Sequence, residues 1–508
     1  MRIEVLIEVG NMARDESDVV LQMCFRMDHD AEECRALIVA TDPTQIDKWK
    51  ATQIAEPGAE RDNLPRPSSE EDPDASGEDD AKPTPDPSTE LSELMARFQE
   101  TMSGYVPLRR LVLAIMPTMR SAFIHGEVYR SAIKHLEKVA TDGEFETYAV
   151  TKDQFPVIQR QIRRLREFDR GIAVLPGAVL LSLVATFDSF VADTLRIMLR
   201  SKPERLFASS KTIAVKDVLS MRSFDEVIDR VTEDEVEEIM RGSHTEQVKY
   251  IEDKLNVDIR KNYDEWGDFV EIFERRNLIA HGNQTANARY IRNCKKHGFD
   301  VGAEEGTRLE LGPQYLMGSS DRLLEFGLSL MFVLWLKHFR DDREAAYESL
   351  NGRTYELIRD GQHHVAARLL DLALFKQSPS ASERIMKMMT VNLANAYKKS
   401  GELEKAYDVI SEVDWSAATD DFQICIAAIR DDVERVVELI PKVAREELVD
   451  KADFREWPVF DWVRDDRLVR ERFESVFGEP INAPSEEDKG NEPGEGKGLD
   501  RQGGATVH

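Results

Sequence analysis

The sequence predicts a mainly α protein built from several folded units, and three observations carry that reading. At 508 residues the chain exceeds the roughly 250–300 residues at which a single hydrophobic core stops growing. Apolar residues recur at three- and four-residue intervals along most of it, from Leu91, Leu94 and Phe98 onward, which is the period of a helix face. Strand-like patterning is confined to the N-terminal end.

Arg2-Ile3-Glu4-Val5-Leu6-Ile7-Glu8-Val9 nearly alternates polar and apolar residues, and Ala36-Leu37-Ile38-Val39-Ala40 is a second strand-like run, so residues 1–55 form a small strand-containing segment. A piece of this size seldom buries enough surface to stand alone, so it leans on a later domain or on a partner. Residues 56–92 are dominated by Pro, Ser, Asp and Glu with almost no aliphatic side chains. Such a composition cannot offset its ordering entropy and reads as a disordered acidic linker. The same holds for residues 479–508, with Glu486-Glu487-Asp488 and repeated glycines, a disordered acidic tail.

Between these, residues 93–170 are expected to be helical, with Leu111, Val112, Ile115 and Met116 continuing the helical spacing. Thr151-Lys152-Asp153-Gln154 is expected to start a helix, with Thr151 or Asp153 as its cap. Arg160, Arg163, Arg164 and Arg166 then form a basic cluster, either a solvated helix face or a surface turned to RNA. Over Val179 to Arg200, Leu180, Val184, Phe187, Val191, Leu195 and Met198 make one apolar stripe that must pack against other helices. Gln247 to Ile259, Asn262 to Ala280 and Ser320 to Arg340 supply the partners, so residues 171–342 are read as a helical bundle. The longest apolar run, Phe326 to Leu336, is shorter than the roughly 20 residues that cross a bilayer, and it reads as a buried helix; no membrane partner is expected.

Chemistry concentrates at Arg276-Asn277-Leu278-Ile279-Ala280-His281. On that helix Trp266, Phe269, Val270 and Phe273 define the buried stripe, and extending it by a turn lands on Arg276, Asn277, Ala280 and His281. These groups are therefore expected to point to the packed side or to a groove beside it, with Arg275 pointing outward. Polar groups so placed need a hydrogen-bond network or a ligand. Gly282 suits a left-handed helix end and Asn283 helps close the turn. Arg276 and His281 are separated by about 140° on a regular helix, so a two-fold dimer is the simplest way to bring both kinds of group to one site. Asp188, beside the apolar stripe of the earlier helix, is in position either to bond the imidazole or Arg276, or to be an ordinary surface carboxylate.

With its helical setting, Glu274-Arg275-Arg276-Asn277-Leu278-Ile279-Ala280-His281 resembles the HEPN superfamily, whose hallmark is an arginine followed four to six residues later by histidine, often with asparagine directly after the arginine. Ala286-Asn287-Ala288-Arg289-Tyr290 is similar to the loop that follows the motif in some bacterial members. The resemblance implies a HEPN-like bundle that homodimerises and acts as a metal-independent endoribonuclease, a toxin or antiviral-defence effector, with RNA as substrate and no cofactor. It implies catalytic roles for Arg276, Asn277 and His281; Asp188 and Asn283 are candidates for a supporting role by their positions alone. In some members a nucleotidyltransferase modifies a tyrosine two residues past the histidine; Asn283 stands there, and that control is not expected. The alternative is a non-catalytic scaffold or regulatory interaction protein with the same bundle.

In residues 343–478, Leu393, Ala394, Tyr397, Gly401, Ala406 and Ile410 have the spacing of a tetratricopeptide-type helical hairpin, a second resemblance. Aligning Gly361 with Gly401 sets Ala366 over Ala406 and Leu370 over Ile410, and a degenerate third hairpin sets Val436 and Ile440 there. Trp457-Pro458-Val459-Phe460, Phe473, Val476 and Phe477 are expected to seal the stack. Repeats of this kind imply a protein or peptide partner.

Other classes are disfavoured. A net charge of -28 opposes a broad grip on nucleic-acid backbone, so any RNA contact must be local. The four cysteines are scattered, which fits a reducing, cytoplasmic setting, and Arg2, Glu4 and Glu8 interrupt any secretory leader. There is no phosphate-binding glycine loop or dinucleotide fingerprint. Cys294 and His297 have a ligand-like spacing without a second pair, and no metal is expected.

Overall fold

The computed structural model describes residues 23–26, 33–39, 86–123, 133–142, 145–151, 154–204, 218, 220–282, 284–377 and 380–483. The expected strand at Arg2–Val9, most of the acidic linker, the end of the acidic tail and Asn283 lie outside these residues. The protein is mainly helical. Its contacts divide it into two compact units, one comprising Met1–Asp86, Glu100–Ser189 and Gly267–Ser320, the other Pro87–Gln99, Phe190–Trp266 and Asp321–His508.

In the first unit, strands β1 (Met23–Arg26), β2 (Glu33–Val39), β3 (Glu137–Asp142) and β4 (Phe145–Thr151) form an antiparallel sheet in the order β1-β2-β4-β3. Ala36 stands opposite Tyr148 in the register of β2 and β4, and the β3–β4 pairing shifts between Lys138 and Ala140. The run Ala36–Val39 thus lies in β2. Two strands occupy part of the stretch expected to be helical, and Thr151 ends β4 instead of capping a helix. Phe-Glu-Thr-Tyr-Ala-Val-Thr is rich in β-branched and aromatic residues, and pairing with a distant strand settles the local choice.

Helix α1 (Pro87–Phe123) and helix α2 (Phe155–Arg200) follow. By length and composition Pro156–Arg200 is long and apolar enough to cross a membrane, with a mean hydropathy of 1.9 over its most apolar window, 44% of which is buried in the protein. Its Leu180, Leu183, Val184 and Phe187 are core residues.

The second unit contains α3 (Phe224–Met240) and α4 (His244–Leu255), the latter opened by a reciprocal capping box between Ser243 and Glu246. Helix α5 (Trp266–Gly282) starts at this unit's edge, α6 (Ala288–Lys296) belongs to the first unit, and α7 (Pro313–His338) carries the Phe326 to Leu336 run. Of that run Phe326, Leu328, Leu330, Met331, Phe332, Leu334, Trp335 and Leu336 are buried. Phe98 of α1 stacks on Phe190 of α2 at 4.0 Å between ring centroids. That stack is possible because residue 327 is glycine: a Cβ there would stand 2.5 Å from Phe98 Cε1 and 3.2 Å from Phe190 Cε1.

Three helical hairpins come next: α8 (Arg343–Arg359) with α9 (His363–Asp371), α10 (Glu383–Lys399) with α11 (Leu403–Ser411), and α12 (Asp420–Ile429) with α13 (Val433–Arg445). One turn is used three times. Gly361, Gly401 and Asp431 each take a left-handed conformation, with φ of 84°, 84° and 56°. The next amide then reaches back in every case, Gln362 to Leu357 O at 2.8 Å, Glu402 to Tyr397 O at 2.9 Å and Asp432 to Ala427 O at 2.9 Å, as in a Schellman ending. Ala366, Ala406 and Val436 are fully buried at one equivalent place, and Leu370, Ile410 and Ile440 at another. Helices α14 (Lys451–Glu456) and α15 (Arg467–Phe477) close the stack, with Phe454 packed on Phe460 at 4.6 Å and on Phe473 at 5.7 Å.

A cavity of about 310 Å³ in this unit is lined by Tyr263, Glu265, Glu325, Arg368, Tyr397 and others. Arg368 binds Glu325 Oε2 at 3.0 Å and Glu265 Oε1 at 2.7 Å. Burial, more than Arg368 can compensate, pushes the Glu325 carboxyl up to about 7.

Two outcomes follow from this packing. Gly327→Ala is expected to lower stability by about 1–3 kcal/mol, since the two rings must move apart; urea unfolding followed by tryptophan fluorescence measures it. Because Glu325 holds its proton to higher pH folded than unfolded, its contribution falls as pH rises from about 4.5 to about 7 and is constant above. Melting of the wild type compared with Glu325→Gln across that window checks the sign: the advantage of the glutamine variant should grow with pH.

Candidate active site

The site is built on the last turns of α5. In its first half the helix is enclosed on all sides, with Phe269, Val270, Glu271, Ile272 and Phe273 all buried. Phe187 of α2 meets Phe269 and Phe273 at 5.6 and 5.7 Å between ring centroids. After Phe273 only the face of Glu271, Arg275 and Leu278 stays covered, and the opposite face opens: Arg276 and Asn277 are half-buried, Ala280 and His281 exposed.

This reverses the orientation expected from the apolar stripe. Arg275 is the buried arginine, at 8% exposure, and Arg276 and His281 lie on the open side. The stripe count misses this because it extrapolates from apolar residues alone, whereas Glu271 and Arg275, four residues apart, neutralise each other inside. Arg275 Nε donates to Glu271 Oε1 at 2.8 Å, and Nη1 donates to the carbonyl of Glu310 at 3.2 Å. Tyr290 donates to Glu271 Oε1 at 2.6 Å and Tyr315 to Oε2 at 2.7 Å. The guanidinium lies 4.6 Å from the Tyr315 ring centre, a cation–π contact. Burial works against the Arg275 charge, but the Glu271 carboxylate outweighs it and holds the guanidinium above its ordinary pKa. Burial and then the same carboxylate push both tyrosine hydroxyls up, so they remain donors.

Around this network the chain beyond α5 is locked in place. Gln284 takes a left-handed φ of 62° and its amide bonds Leu278 O at 3.3 Å. Thr285 bridges Arg308, Ala286 bonds Thr307 O at 2.9 Å and Leu309 bonds Gln284 O at 2.8 Å. Asn287 caps α6, whose Tyr290 and Cys294 pack with Leu278, Ala286 and Leu309. The Cys294 thiol is pushed up to about 12, chiefly by burial, and its place is in this core rather than in a ligand set with His297. Among the described residues no group of three or more His, Cys, Asp or Glu is placed to hold a metal ion.

On the open face, Arg276 Nη1 donates to Asn277 Oδ1 at 3.2 Å, and Nη2 lies 3.9 Å from Asp188 Oδ2. Arg276, Asn277 and Asp188 are therefore gathered. His281 stands apart at the helix end, and among the described residues its side chain has no hydrogen bond or ion pair. Helix α2 approaches this end closely: a Cβ at Gly177 would lie 3.2 Å from Ile279 Cγ2. The arrangement offers a half-exposed guanidinium and an accessible imidazole on the open side of the helix, about 140° apart around its axis, with the buried Glu271 network behind them.

Comparison of the chain with family models, with curated proteins and with solved structures returns no match.

The residues that sequence reasoning missed are Glu271, Tyr290, Tyr315 and Arg275. A carboxylate four residues before an arginine, flanked by phenylalanines, is the one local signal for them. Arg275→Met is expected to cost about 3–5 kcal/mol, because Glu271 is left charged and buried without its cation. Urea denaturation with hydrogen exchange over Ala288–Lys296 measures it, and Glu271→Gln added to Arg275→Met should restore part of the loss.

Proposed function

We propose that the protein is an endoribonuclease of HEPN type that needs no metal, with tetratricopeptide-like repeats that take a protein or peptide partner. The observation that carries this reading is the presentation of Arg276 and His281 on the open face of α5, with Asp188 and Asn277 orienting the guanidinium. Neither group is sealed inside.

In the reaction, the His281 imidazole accepts the proton of an RNA 2′-hydroxyl as that oxygen attacks the adjacent phosphorus. The bond from phosphorus to the 5′-oxygen breaks, leaving a cyclic phosphate and a 5′-hydroxyl that takes up a proton. Arg276 stabilises the negative charge that builds on the phosphoryl oxygens, and Asn277 fixes its orientation. Since His281 and Arg276 are separated around the helix, a second copy of the chain supplies the complementary group in a two-fold dimer. A toxin or antiviral-defence effector in the cytoplasm suits this chemistry, and the turn geometry shared by the three hairpins supports the tetratricopeptide likeness.

His281→Ala is expected to lower RNA cleavage in the presence of a chelator by at least about 10²-fold, the usual contribution of positioned proton transfer. Cleavage of labelled RNA by the purified chain measures it, and undiminished cutting would reject the assignment.

A further inference from the structure

Helix α6 carries charge of one sign only. Of its nine residues, Arg289, Arg292, Lys295 and Lys296 are charged and exposed, and none is acidic. Tyr290 and Cys294 form the opposite, buried face, so all four cations are turned to solvent together. Some exposed cations elsewhere are paired, as Arg241 with Glu237 and Arg467 with Glu471 are. The four on α6 have no ion pair among the described residues. In a chain with 96 acidic against 68 basic residues, such a ridge is kept against the prevailing charge. A neighbouring carboxylate, Glu305, is engaged by the amide of Ala288 at 3.3 Å.

The ridge borders the site. Tyr290 and Cys294 pack against Leu278, one turn before His281, and Asn293 donates to Glu274 at 3.0 Å, which ties α6 to the last half of α5. On the other flank α2 runs opposite to α5, since Phe187 meets Phe269 and Phe273 while Gly177 meets Ile279. Its N-terminal half therefore continues past the end of α5. Arg170, Arg166 and Arg163, all exposed, share one face there at about 10 to 21 Å from Gly177 along the axis. Helix α6 thus flanks the second half of α5, and the α2 arginines, with Glu167 and Asp169 among them, lie along the helix that passes its end.

We propose that α6, continued by these arginines of α2, holds the sugar-phosphate backbone of single-stranded RNA on either side of the cleaved bond. The proposal rests on the nuclease reading for its substrate, but binding is measurable without cleavage. It reconciles the acidity of the whole chain with a nucleic-acid ligand, because the positive charge is local, on α6 beside the site.

The test uses the full chain carrying His281→Ala and a fluorescein-labelled oligouridylate, with anisotropy recorded over a range of salt. Changing Arg289, Arg292, Lys295 and Lys296 together to Gln should weaken binding at least tenfold at low salt. The slope of log affinity against log salt should become shallower by about 0.7 for each phosphate no longer neutralised, or about 3 in all. The variant Arg289→Lys with Arg292→Lys keeps the charge and should keep the binding, and Arg467→Gln, far along the chain, should change nothing. Unchanged affinity in the glutamine variant with an unaltered melting curve would overturn the proposal. So would tighter binding of an oligoglutamate than of the oligouridylate, which would mark α6 as a dock for an acidic protein. If His281→Ala in turn leaves cleavage intact while the glutamine variant loses RNA, the nuclease assignment falls and the binding surface stands.

Discussion

A carboxylate that is 2% exposed sits at the centre of the first unit, and the arrangement of the candidate site follows from how it is satisfied. Desolvating Glu271 costs several kcal/mol unless its oxygens are paired. Three donors meet that demand: Arg275 from the same helix, Tyr290 from α6 and Tyr315 from the start of α7. They come from three separate elements, so satisfying one charge also fixes where the elements stand. Removing Arg275 leaves a buried charge uncompensated, and removing either tyrosine leaves a carboxylate oxygen short of a donor, which is why such networks act as units rather than as sums of pairs.

The consequence for α5 is a helix with two faces that differ in kind. One face keeps its charge inside, neutralised and crowded by aromatic rings. The other emerges after Phe273 and presents Arg276, Asn277 and His281 to solvent. A helix anchored on one side in this way holds its open side still without further contacts, which is what positioned chemistry requires. The loop that follows is closed by main-chain bonds between 284–286 and 306–309, and it carries α6 directly onto the last turn of α5. The cationic surface and the imidazole are thus joined by the same short stretch of chain.

The second unit is organised differently. Its hairpins repeat one turn in which a left-handed residue lets the helix end and the chain return, at Gly361, Gly401 and Asp431. Glycine takes that conformation without a steric penalty, and aspartate is among the few other residues that tolerate it. Small or branched side chains at Ala366, Ala406 and Val436 then let neighbouring helices approach. Each hairpin covers the next, and the aromatic cluster of Phe454, Phe460 and Phe473 ends the series where no further hairpin follows.

The mainly helical character, the buried helix at Phe326 to Leu336 and the equivalence of Ala366, Ala406 and Val436 were all legible in the sequence, because helical spacing and turn glycines are local signals that neighbours in the chain suffice to produce. The motif from Arg276 to His281 was legible as well, but not its orientation. Which of two adjacent arginines goes inside depended on Tyr290, Tyr315 and the carbonyl of Glu310, groups that lie 19 to 44 residues along the chain from the Glu271 or Arg275 they bond and reach them only after folding. The strands at Glu137–Asp142 and Phe145–Thr151 were missed for a related reason, since β4 pairs with a strand more than a hundred residues earlier. Local period decides what a segment tends to become; the pairing of distant charges and strands decides which face it turns and what it turns it toward.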